Sequence, residues 1–335
     1  MVEQGTHKPL VGGSNPPSAT TPLDDLARAV DTGAQALGIP DDAAIVLAVS
    51  GGPDSMALLH GAARLVKTDA RRWRLTVAHL DHALRSDSAD DARFVADAAE
   101  DLGLRFEGIR TDVAALARDE GRSIEDAARE ARYRFLESIA PDDALIATAH
   151  TADDATETVL MNLLRGTGLA GVRGIPPRRG RIVRPLLSER RAPLRALLDE
   201  AGVRYLLDPS NEDPAFLRNR VRSEVLPLLE SIRPGAAERI GQFSRLAADD
   251  EALLDDLANA ELARRTSDEG IDWHDPPVPA LGRRVLRLAI GESAPSAERI
   301  EALLEAAQGP RGGVTIELGG GRVASVSQRR IRILT

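Results

Sequence analysis

The stretch Ser50-Gly51-Gly52-Pro53-Asp54-Ser55 decides the fold that this sequence predicts. It follows an apolar run at residues 44–49 and precedes a helical pattern at residues 56–65. A strand, a glycine turn and a helix in this order form an anion site, because two glycines let successive backbone N–H groups point at one oxyanion. The N-terminus of the helix adds positive potential. We therefore expect a phosphate cradle, with Ser50 and Ser55 as hydroxyl donors.

Asp54 gives this cradle a second property. A carboxylate repels a bare phosphate, so its place in the turn indicates a bridging cation, and Mg²⁺ is the expected ion because it prefers oxygen ligands. The stretch differs from the common P-loop, in which a lysine precedes the Ser or Thr. A glycine turn without a ligand is the simpler alternative, but turning the chain requires neither the two serines nor the aspartate.

Short apolar runs alternate with amphipathic helical patterns between residues 24 and 201. Strands are predicted at residues 44–49, 75–79, 104–109 and 144–148, with a short edge strand at 182–186, and helices at 24–37, 56–65, 87–102, 189–201 and from Ser123 as an N-cap. This alternation predicts an α/β fold with a doubly wound parallel sheet. Ligands bind beyond the carboxyl ends of such strands, where polar clusters occur at residues 50–55, 79–82 and 150–158.

The length of 335 residues predicts more than one domain. Residues 1–22 have little apolar pattern, and we expect them to form a disordered tail. Residues 23–228 are predicted to form the catalytic domain. Residues 229–335 are predicted to form a smaller, mainly helical domain, with helices at 236–264, 281–290 and 297–307 and a closing hairpin formed by residues 314–318 and 322–326.

Composition narrows the chemistry and the compartment. The chain has no cysteine, which excludes disulfides, thiolate metal sites, iron–sulfur clusters bound by cysteine and cysteine nucleophiles. No long apolar stretch or signal peptide is visible, so we expect a cytoplasmic protein without membrane contact. The net charge is −9, but residues 161–190 carry seven arginines and one acid, Glu189. That stretch is either a solvated loop or a contact with nucleic acid.

Three acids lie in the first helical turn after the strand at 144–148. For Asp153, complementing the helix dipole is one explanation, and a functional role is the other. Asp154 and Glu157 lie three residues apart, on one helix face at the expected ligand edge of the sheet, which favours a functional role. The nearby G-x-G-x-x-G at residues 166–171 follows a helix, so we interpret it as a helix stop and loop and not as a dinucleotide fingerprint.

Several motifs together resemble one family. The stretch Ser50–Ser55 is similar to the PP-loop of N-type ATP pyrophosphatases, and the chain as a whole resembles the tRNA(Ile)-lysidine synthetases. The segments that carry this resemblance are His79-Leu80-Asp81-His82-Ala83-Leu84-Arg85, Ala128-Arg129-x-x-Arg132-Tyr133, His150 to Thr158, Leu164 to Gly168, Arg184-Pro185-Leu186-Leu187, Asp208-x-Ser210-Asn211 and Arg218-Asn219-x-x-Arg222. Ala83 replaces the usual glycine, Thr151 a second histidine and Ala155 a glutamine.

The resemblance implies an activity and its reactants. ATP would adenylate the wobble cytidine of a tRNA(Ile) with a CAU anticodon, and the ε-amine of free L-lysine would then displace AMP to give lysidine. ATP and Mg²⁺ are the implied cofactors, and a homodimer is a plausible assembly in this family.

The resemblance also suggests roles for particular residues. The PP-loop residues Ser50, Gly51, Gly52, Pro53, Asp54 and Ser55, together with His79 and Arg129, are assigned to nucleotide binding, with Asp54 as the Mg²⁺ ligand. Arg132, Asp154 and Glu157 join Asp54 as catalytic candidates: the arginine neutralises phosphate charge, and the two acids bind the lysine ammonium or accept its proton. The arginines at 165–184, with Arg218 and Arg222, are candidate contacts to the tRNA backbone.

Other activities share a PP-loop. Thiolating enzymes of this class generally use cysteines, which this chain lacks. Amidation of a small molecule remains open for the loop alone, although the arginine-rich stretch and the helical second domain favour a macromolecular substrate. A third alternative is an adenine-nucleotide sensor, which would not require Asp154 and Glu157 beside the loop.

Overall fold

The computed structural model describes residues 20–85, 88–207, 216–291, 296–309, 313–319 and 321–334. Two compact units divide the chain: the first comprises Met1–Thr158 and Ile175–Glu238, and the second Val159–Gly174 and Arg239–Thr335. The resembling segment at Asp208–Asn211 lies outside the described residues, as do residues 1–19 of the predicted tail. The domain boundaries given above stay a prediction.

The strands are β1 Ala44–Ala48, β2 Arg74–Asp81, β3 Arg105–Arg110, β4 Leu145–Thr148, β5 Arg178–Arg179, β6 Ile182–Val183, β7 Thr266–Ser267, β8 Gly270–Asp272, β9 Val314–Gly319, β10 Arg322–Ser327 and β11 Arg330–Leu334. The helices are α1 Pro22–Ala36, α2 Pro53–Lys67, α3 Ser88–Asp101, α4 Val113–Glu120, α5 Ile124–Ile139, α6 Ala152–Leu164, α7 Leu169–Val172, α8 Arg191–Glu200, α9 Leu217–Arg220, α10 Leu226–Ile232, α11 Ala236–Arg265, α12 Pro279–Ile290 and α13 Ala297–Gln308. A π-helical turn, Val221–Val225, joins α9 to α10.

The first unit contains a six-stranded sheet of order β3-β2-β1-β4-β6-β5. Every neighbouring pair is parallel except β5 and β6. Aliphatic residues of α1, α2 and α8 form a core with one face of the sheet, and residues of α5 pack against the other. Because helices cover both faces, the sheet is doubly wound, which confirms the predicted fold class.

The predicted elements differ from the structure mainly at their ends. The helix predicted from residue 24 starts at Pro22, because Thr21 caps it: Thr21 Oγ1 accepts from the N–H of Asp24, and the Asp24 carboxylate accepts from Thr21 N at 3.0 Å. Thr21 and Pro22, assigned to the tail above, therefore belong to the start of α1. The strand predicted at 182–186 as an edge is wrong in place, since β6 lies between β4 and β5, and Pro185 follows it.

The second unit contains the predicted helices and more β-structure than the sequence indicated. Its five-stranded antiparallel sheet has the order β7-β8-β11-β10-β9, and the predicted hairpin is the β9–β10 pair. The fully buried Trp273 lies in the core of this unit, together with residues of α12 and α13. Strands β7 and β8 were missed because they are only two and three residues long, whereas β11 was missed although Arg330 and Arg332 alternate with Ile331 and Ile333 as in a half-buried strand.

None of the helices in the described part of the chain has the length and apolar character needed to cross a bilayer.

Candidate active site

The loops after β1 and β4 leave the sheet side by side. These strands are parallel neighbours, with Ala48 opposite Thr148. Strands β2 and β3, which come between them in sequence, lie on the other side of β1 in the sheet. This is the point at which the strand order reverses, where ligands bind in doubly wound sheets. Residues 50–55 follow β1 and residues 150–158 follow β4, so the sheet topology brings together two segments about 100 residues apart in sequence.

The backbone of the stretch Ser50–Ser55 forms a tight turn into α2. Gly51 has φ +88°, a left-handed conformation that favours glycine, and a Cβ there would lie 2.7 Å from Leu206 Cδ1. Gly52 is the N-cap of α2, and Pro53 is its first residue, where the missing N–H costs nothing. Ser55 Oγ donates to Gly52 O at 2.8 Å and accepts from Ser50 N at 3.2 Å. The turn is thus closed by its own side chains before any ligand binds.

His79 contacts the backbone just before this turn. It is buried in β2, and its Nδ1 lies 2.8 Å from the carbonyl oxygen of Val49, the residue before the turn. Since a carbonyl only accepts, Nδ1 carries the proton. Burial lowers the pKa of His79, which keeps the ring neutral in this contact. The structure places His79 against the backbone that leads into the cradle, so direct contact with a nucleotide stays a prediction.

Asp54, Asp154 and Glu157 meet around one guanidinium. Arg191 Nε donates to Asp54 Oδ2 at 2.8 Å, Nη2 to Asp154 Oδ1 at 2.9 Å and Nη1 to Glu157 Oε1 at 3.3 Å. We call these three acids, with Arg191 and Arg222, the acid cluster. The cluster links the first turn of α2 to α6 and α8.

The two acids from α6 have all their oxygens engaged. Asp154 Oδ2 accepts from Thr151 N at 2.8 Å and from Thr151 Oγ1 at 2.9 Å, in addition to the Arg191 bond at Oδ1. Glu157 has no exposed side-chain surface, and Arg222 binds it with Nε at 2.7 Å and Nη2 at 3.0 Å. Arg222 lies in the π-helical turn, a feature often found at functional sites.

Arg218 and Arg222 were predicted as tRNA contacts, and in this structure their side chains contact residues of α6. Arg222 binds Glu157, as above, and Arg218 lies with Nε 3.6 Å from Glu157 Oε2 and donates from Nη2 to Thr158 Oγ1 at 3.3 Å. Both therefore serve the acid cluster in this structure.

In the acid cluster, the surroundings stabilise the charged form of Arg191 more than the charged form of Asp54. Burial opposes the Arg191 charge, but Asp154, Asp54 and Glu157 outweigh it and raise the pKa of Arg191. Burial also raises the pKa of Asp54, and Arg191 offsets this only in part because Asp154 repels the Asp54 carboxylate. For Asp154, Arg191 and the bonds from Thr151 outweigh burial, and its pKa is lowered. The ionised form of Asp54 is thus less well stabilised than that of Asp154.

One oxygen atom of Asp54 accounts for this weaker stabilisation. Asp54 Oδ1 is buried and has no hydrogen-bond partner, whereas its Oδ2 is bound to Arg191. A buried carboxylate oxygen without a partner is costly, and a cation relieves that cost. Among the described residues, no group of three or more His, Asp or Glu has the arrangement of a metal site. Asp54 therefore fits Mg²⁺ as a single carboxylate ligand, the manner in which Mg²⁺ binds with substrate phosphates and water.

Beside the acid cluster lies a group of cations without acid partners. Arg129, Arg132 and Arg184 form no ion pair with a carboxylate among the described residues, and all three influence the titration of His150. Arg132 Nη2 lies 3.3 Å from His82 Nε2, and the Arg129 guanidinium stacks on Tyr133 at 5.1 Å. We call Arg129, Arg132 and Arg184, with His82 and His150, the arginine cluster.

The arginine cluster is crowded with positive charge. Arg184 is buried, its Nη1 donates to Pro176 O at 2.6 Å, and its Nε has no partner. Burial lowers the pKa of Arg184, and Arg129 and Arg179 act in the same direction. Burial, followed by Arg132, lowers the pKa of His82 to about 4. Burial also lowers the pKa of His150 to about 4, with Arg184 and Arg132 adding to the effect. Both histidines are neutral at pH 7, and an anion is the partner that this cluster lacks.

The other predicted features have structural partners. Asp153 accepts two bonds from the Arg190 side chain, at 3.0 and 3.1 Å, and a third from Arg191 N at 2.8 Å. Of the two explanations given for Asp153, these contacts favour the structural one. The residues 166–171 contain a helix end and the short α7, with Gly166 at φ +73°, in agreement with a helix stop.

Arg191 was missed entirely by sequence reasoning. It directly follows the arginine-rich stretch and stands first in α8, where the helix dipole disfavours a cation. Arginine at the first position of a helix, with no acid in the first turn, was the only local signal available.

Comparison with known proteins gives the family. A family model described as a PP-loop domain matches residues 25–229, more than half of the chain. The chain belongs to the PP-loop family. The stretch Ser50–Ser55 is thus a PP-loop within a PP-loop domain, as its resemblance suggested.

Curated relatives narrow the comparison further. A tRNA(Ile)-lysidine synthase from Geobacter sulfurreducens is 45% identical over 225 residues, which are 66% of this chain and 47% of the relative. One from Thermus thermophilus is 46% identical over 220 residues, covering 65% of this chain and 42% of the relative. One from Bacillus anthracis is 35% identical over 278 residues, covering 80% and 57%. The chain thus spans about half the length of the curated relatives it matches.

A solved structure supports the fold. The U34-tRNA thiolase NcsA from Methanococcus maripaludis, solved with its [4Fe-4S] cluster, matches with a TM-score of 0.56 at 19% identity, over 68% of this chain and 79% of that one. At this identity the likeness concerns the fold alone.

Proposed function

We propose that this chain attaches free L-lysine to the 2-position of the wobble cytidine in a tRNA(Ile) with a CAU anticodon, with ATP cleaved to AMP and pyrophosphate. One observation carries the proposal: Arg191 binds Asp54 of the PP-loop and Asp154 at the start of α6, the helix after β4, through the same guanidinium. The phosphate-binding turn and the acids proposed to bind an amine therefore share one site. The curated relatives named tRNA(Ile)-lysidine synthase support this reading.

The PP-loop would bind the ATP phosphates. Its backbone N–H groups and the N-terminus of α2 face the position of the phosphates and stabilise the negative charge of the departing pyrophosphate. Mg²⁺, when bound at Asp54, would supply Lewis-acid polarisation of the phosphoryl group. Arg129 and Arg132 would neutralise charge on the nucleotide, because guanidinium groups form paired bonds to phosphate oxygens. His79 would hold the PP-loop in place through Val49 O.

Asp154 and Glu157 would receive the lysine amine. Asp154 pairs with Arg191 and Glu157 with Arg222, and the position of the two acids beside the PP-loop would bring the amine toward the activated base. One of them would accept the proton that the ammonium loses before attack.

The tRNA would lie along exposed arginines of the first unit. Arg178 and Arg179 of β5 are exposed, which suits contacts to the phosphate backbone. We propose residues 23–228 as the catalytic domain and residues 229–335 as a tRNA-binding domain. A homodimer in the cytoplasm, where ATP and tRNA occur, completes the proposal.

One assay tests this function. The protein is incubated with labelled lysine, ATP, Mg²⁺ and unmodified tRNA(Ile) carrying CAU, and both tRNA-bound label and AMP are measured. We expect label on the tRNA and stoichiometric AMP. Free label with ammonia-dependent AMP formation would instead indicate a small-molecule synthetase, the alternative that shares the PP-loop. Nucleotide binding without turnover would indicate a sensor.

Asp54→Ala is the matched variant for this assay. We expect it to abolish ATP cleavage, because the buried Oδ1 that would hold Mg²⁺ is removed. Arg190→Met, whose side chain contacts Asp153 and not the acid cluster, serves as the control. Turnover by Asp54→Ala at the rate of the unmodified protein would overturn the magnesium assignment.

A further inference from the structure

Arg191 fills the position that the proposed function requires for an amine. Both oxygens of Asp154 and both oxygens of Glu157 already have cationic or hydrogen-bonding partners. An alkylammonium group that bound where the three acids converge would use the oxygens that Arg191 now engages, so the two cations would compete for that place.

Of the two guanidiniums in the acid cluster, Arg191 is the one that binds its carboxylates through single hydrogen bonds. Arg222 binds Glu157 with two parallel bonds, at 2.7 and 3.0 Å, a geometry that gives strong pairing. Arg191 instead gives one bond to each of three different carboxylates, between 2.8 and 3.3 Å. No single partner holds it by a fork.

The arrangement of Arg191 matches an ammonium group in charge and in donors. A lysine ammonium carries one positive charge and three N–H donors, and Arg191 presents one charge and three engaged nitrogens to the same three acids. Exchange of one for the other leaves the charge of the site unchanged. It therefore avoids the penalty of leaving a buried carboxylate without a partner.

We propose that Arg191 is an internal mimic of the substrate amine, which occupies the acid cluster in the free protein and is displaced when lysine binds. This inference rests on the proposed function. Arg191 is thus a positioning residue that controls access of the amine, and the side chain returns when the product leaves.

The bond from Arg191 to Asp54 couples this exchange to the nucleotide. A divalent cation bound at Asp54 Oδ1 would neutralise part of the carboxylate charge. The hydrogen bond from Arg191 Nε to Asp54 Oδ2 would then be weaker. Arg191 is then displaced more easily, so lysine binds more tightly in the presence of Mg²⁺ and nucleotide. By linkage, lysine tightens binding of Mg²⁺ and nucleotide by the same factor.

Equilibrium binding of lysine tests this coupling without turnover. The dissociation constant of L-lysine is measured by calorimetry with and without Mg²⁺ and α,β-methylene-ATP, in the unmodified protein and in Arg191→Met. We expect the nucleotide to tighten lysine binding at least about fivefold in the unmodified protein. In Arg191→Met, lysine binds more tightly without nucleotide, and the effect of the nucleotide falls to within about twofold.

Arg190→Met is the matched control. It removes a neighbouring arginine that pairs with Asp153, so the coupling factor stays that of the unmodified protein. Arg191→Lys keeps one ammonium at the site and retains part of the coupling. Coupling of full size in Arg191→Met would overturn the proposal. If that variant does not fold, the unmodified protein decides, because equal lysine affinity with and without nucleotide would also overturn it.

The outcomes separate this inference from the proposed function. If the unmodified protein labels tRNA with lysine but shows no coupling, only the role of Arg191 is wrong. If it neither binds lysine nor labels tRNA, the proposed function is wrong, and the inference is wrong with it.

Discussion

The acid cluster and the arginine cluster lie around neighbouring strand ends, but their charges are balanced in different ways. In the acid cluster, Arg191, Arg222 and Thr151 together engage every oxygen of Asp154 and Glu157, and one oxygen of Asp54 is left over. In the arginine cluster, Arg129, Arg132 and Arg184 have no carboxylate partner among the described residues. This difference indicates that the acid cluster is stable without a ligand, whereas the arginine cluster depends on a bound anion for neutrality.

The largest expected effect concerns Glu157. Because this side chain is fully buried and binds Arg222 by a fork, Glu157→Gln leaves the Arg222 guanidinium without the carboxylate that it pairs with. We expect the free energy of unfolding to fall by about 3 kcal/mol, measured by urea denaturation at pH 7. In the control Asp153→Asn, whose partner Arg190 is largely exposed, the loss stays below about 1 kcal/mol. Equal losses in both variants would contradict the view that the acid cluster is internally balanced.

Arg132→Gln tests the opposite property of the arginine cluster. Removing one cation from a crowded set should not lower the free energy of unfolding, but it removes a charge-assisted partner for phosphate. We expect the dissociation constant of ATP to rise by about tenfold or more, measured by calorimetry. The control is Arg134→Gln on the same helix, which pairs with Glu130 and leaves ATP affinity unchanged. A stability loss without change in ATP affinity would place Arg132 in the structural group instead.

The titration of His82 reports the charge of the arginine cluster directly. Its pKa is about 4 in the folded protein and about 6.5 when unfolded. Between these values the unfolded chain binds more protons, so His82 lowers the stability of the fold as pH falls from about 6.5 to about 4. In Arg132→Gln we expect the His82 pKa to rise, as measured by NMR, while burial keeps it below the unfolded value. An unchanged pKa would show that Arg132 does not act on this ring.

The smallest expected effect lies in the loop that carries His82. Ala83 has φ +52°, a left-handed conformation that costs an L-residue about 1–2 kcal/mol. Glycine, the residue usual in the resembling family, avoids that cost but loses more freedom on folding. We expect Ala83→Gly to raise the free energy of unfolding by about 0.5–1 kcal/mol. Ala98→Gly on α3 should lower it by a similar amount, and stabilisation by both variants would mean that the backbone angle at Ala83 is not the cause.

Much of the fold could be predicted because its signals are local. The apolar run before Ser50 and the glycines after it predict a strand and a turn from neighbouring residues alone. Strands β5, β7 and β8 are two or three residues long, too short to show a period, and they exist because a neighbouring strand completes their hydrogen bonds.

Some features of the candidate site could likewise be predicted from the local sequence, and others could not. Asp54, Asp154 and Glu157 could be selected because each follows a predicted strand, and such residues share one edge of a parallel sheet. The pairing of Arg222 with Glu157, 65 residues away, could not be predicted, because the sequence around either residue contains no signal that identifies its partner.

The sequence by itself determined the class of the sheet, the PP-loop and the acids that follow β4, because these depend on residues adjacent in the chain. Only the tertiary structure decided that Arg191 lies among three carboxylates, 137 residues from Asp54, and that Arg129, Arg132 and Arg184 form no ion pair within the described part of the chain. Charge pairing depends on distance in space, and the strand order of the sheet sets that distance.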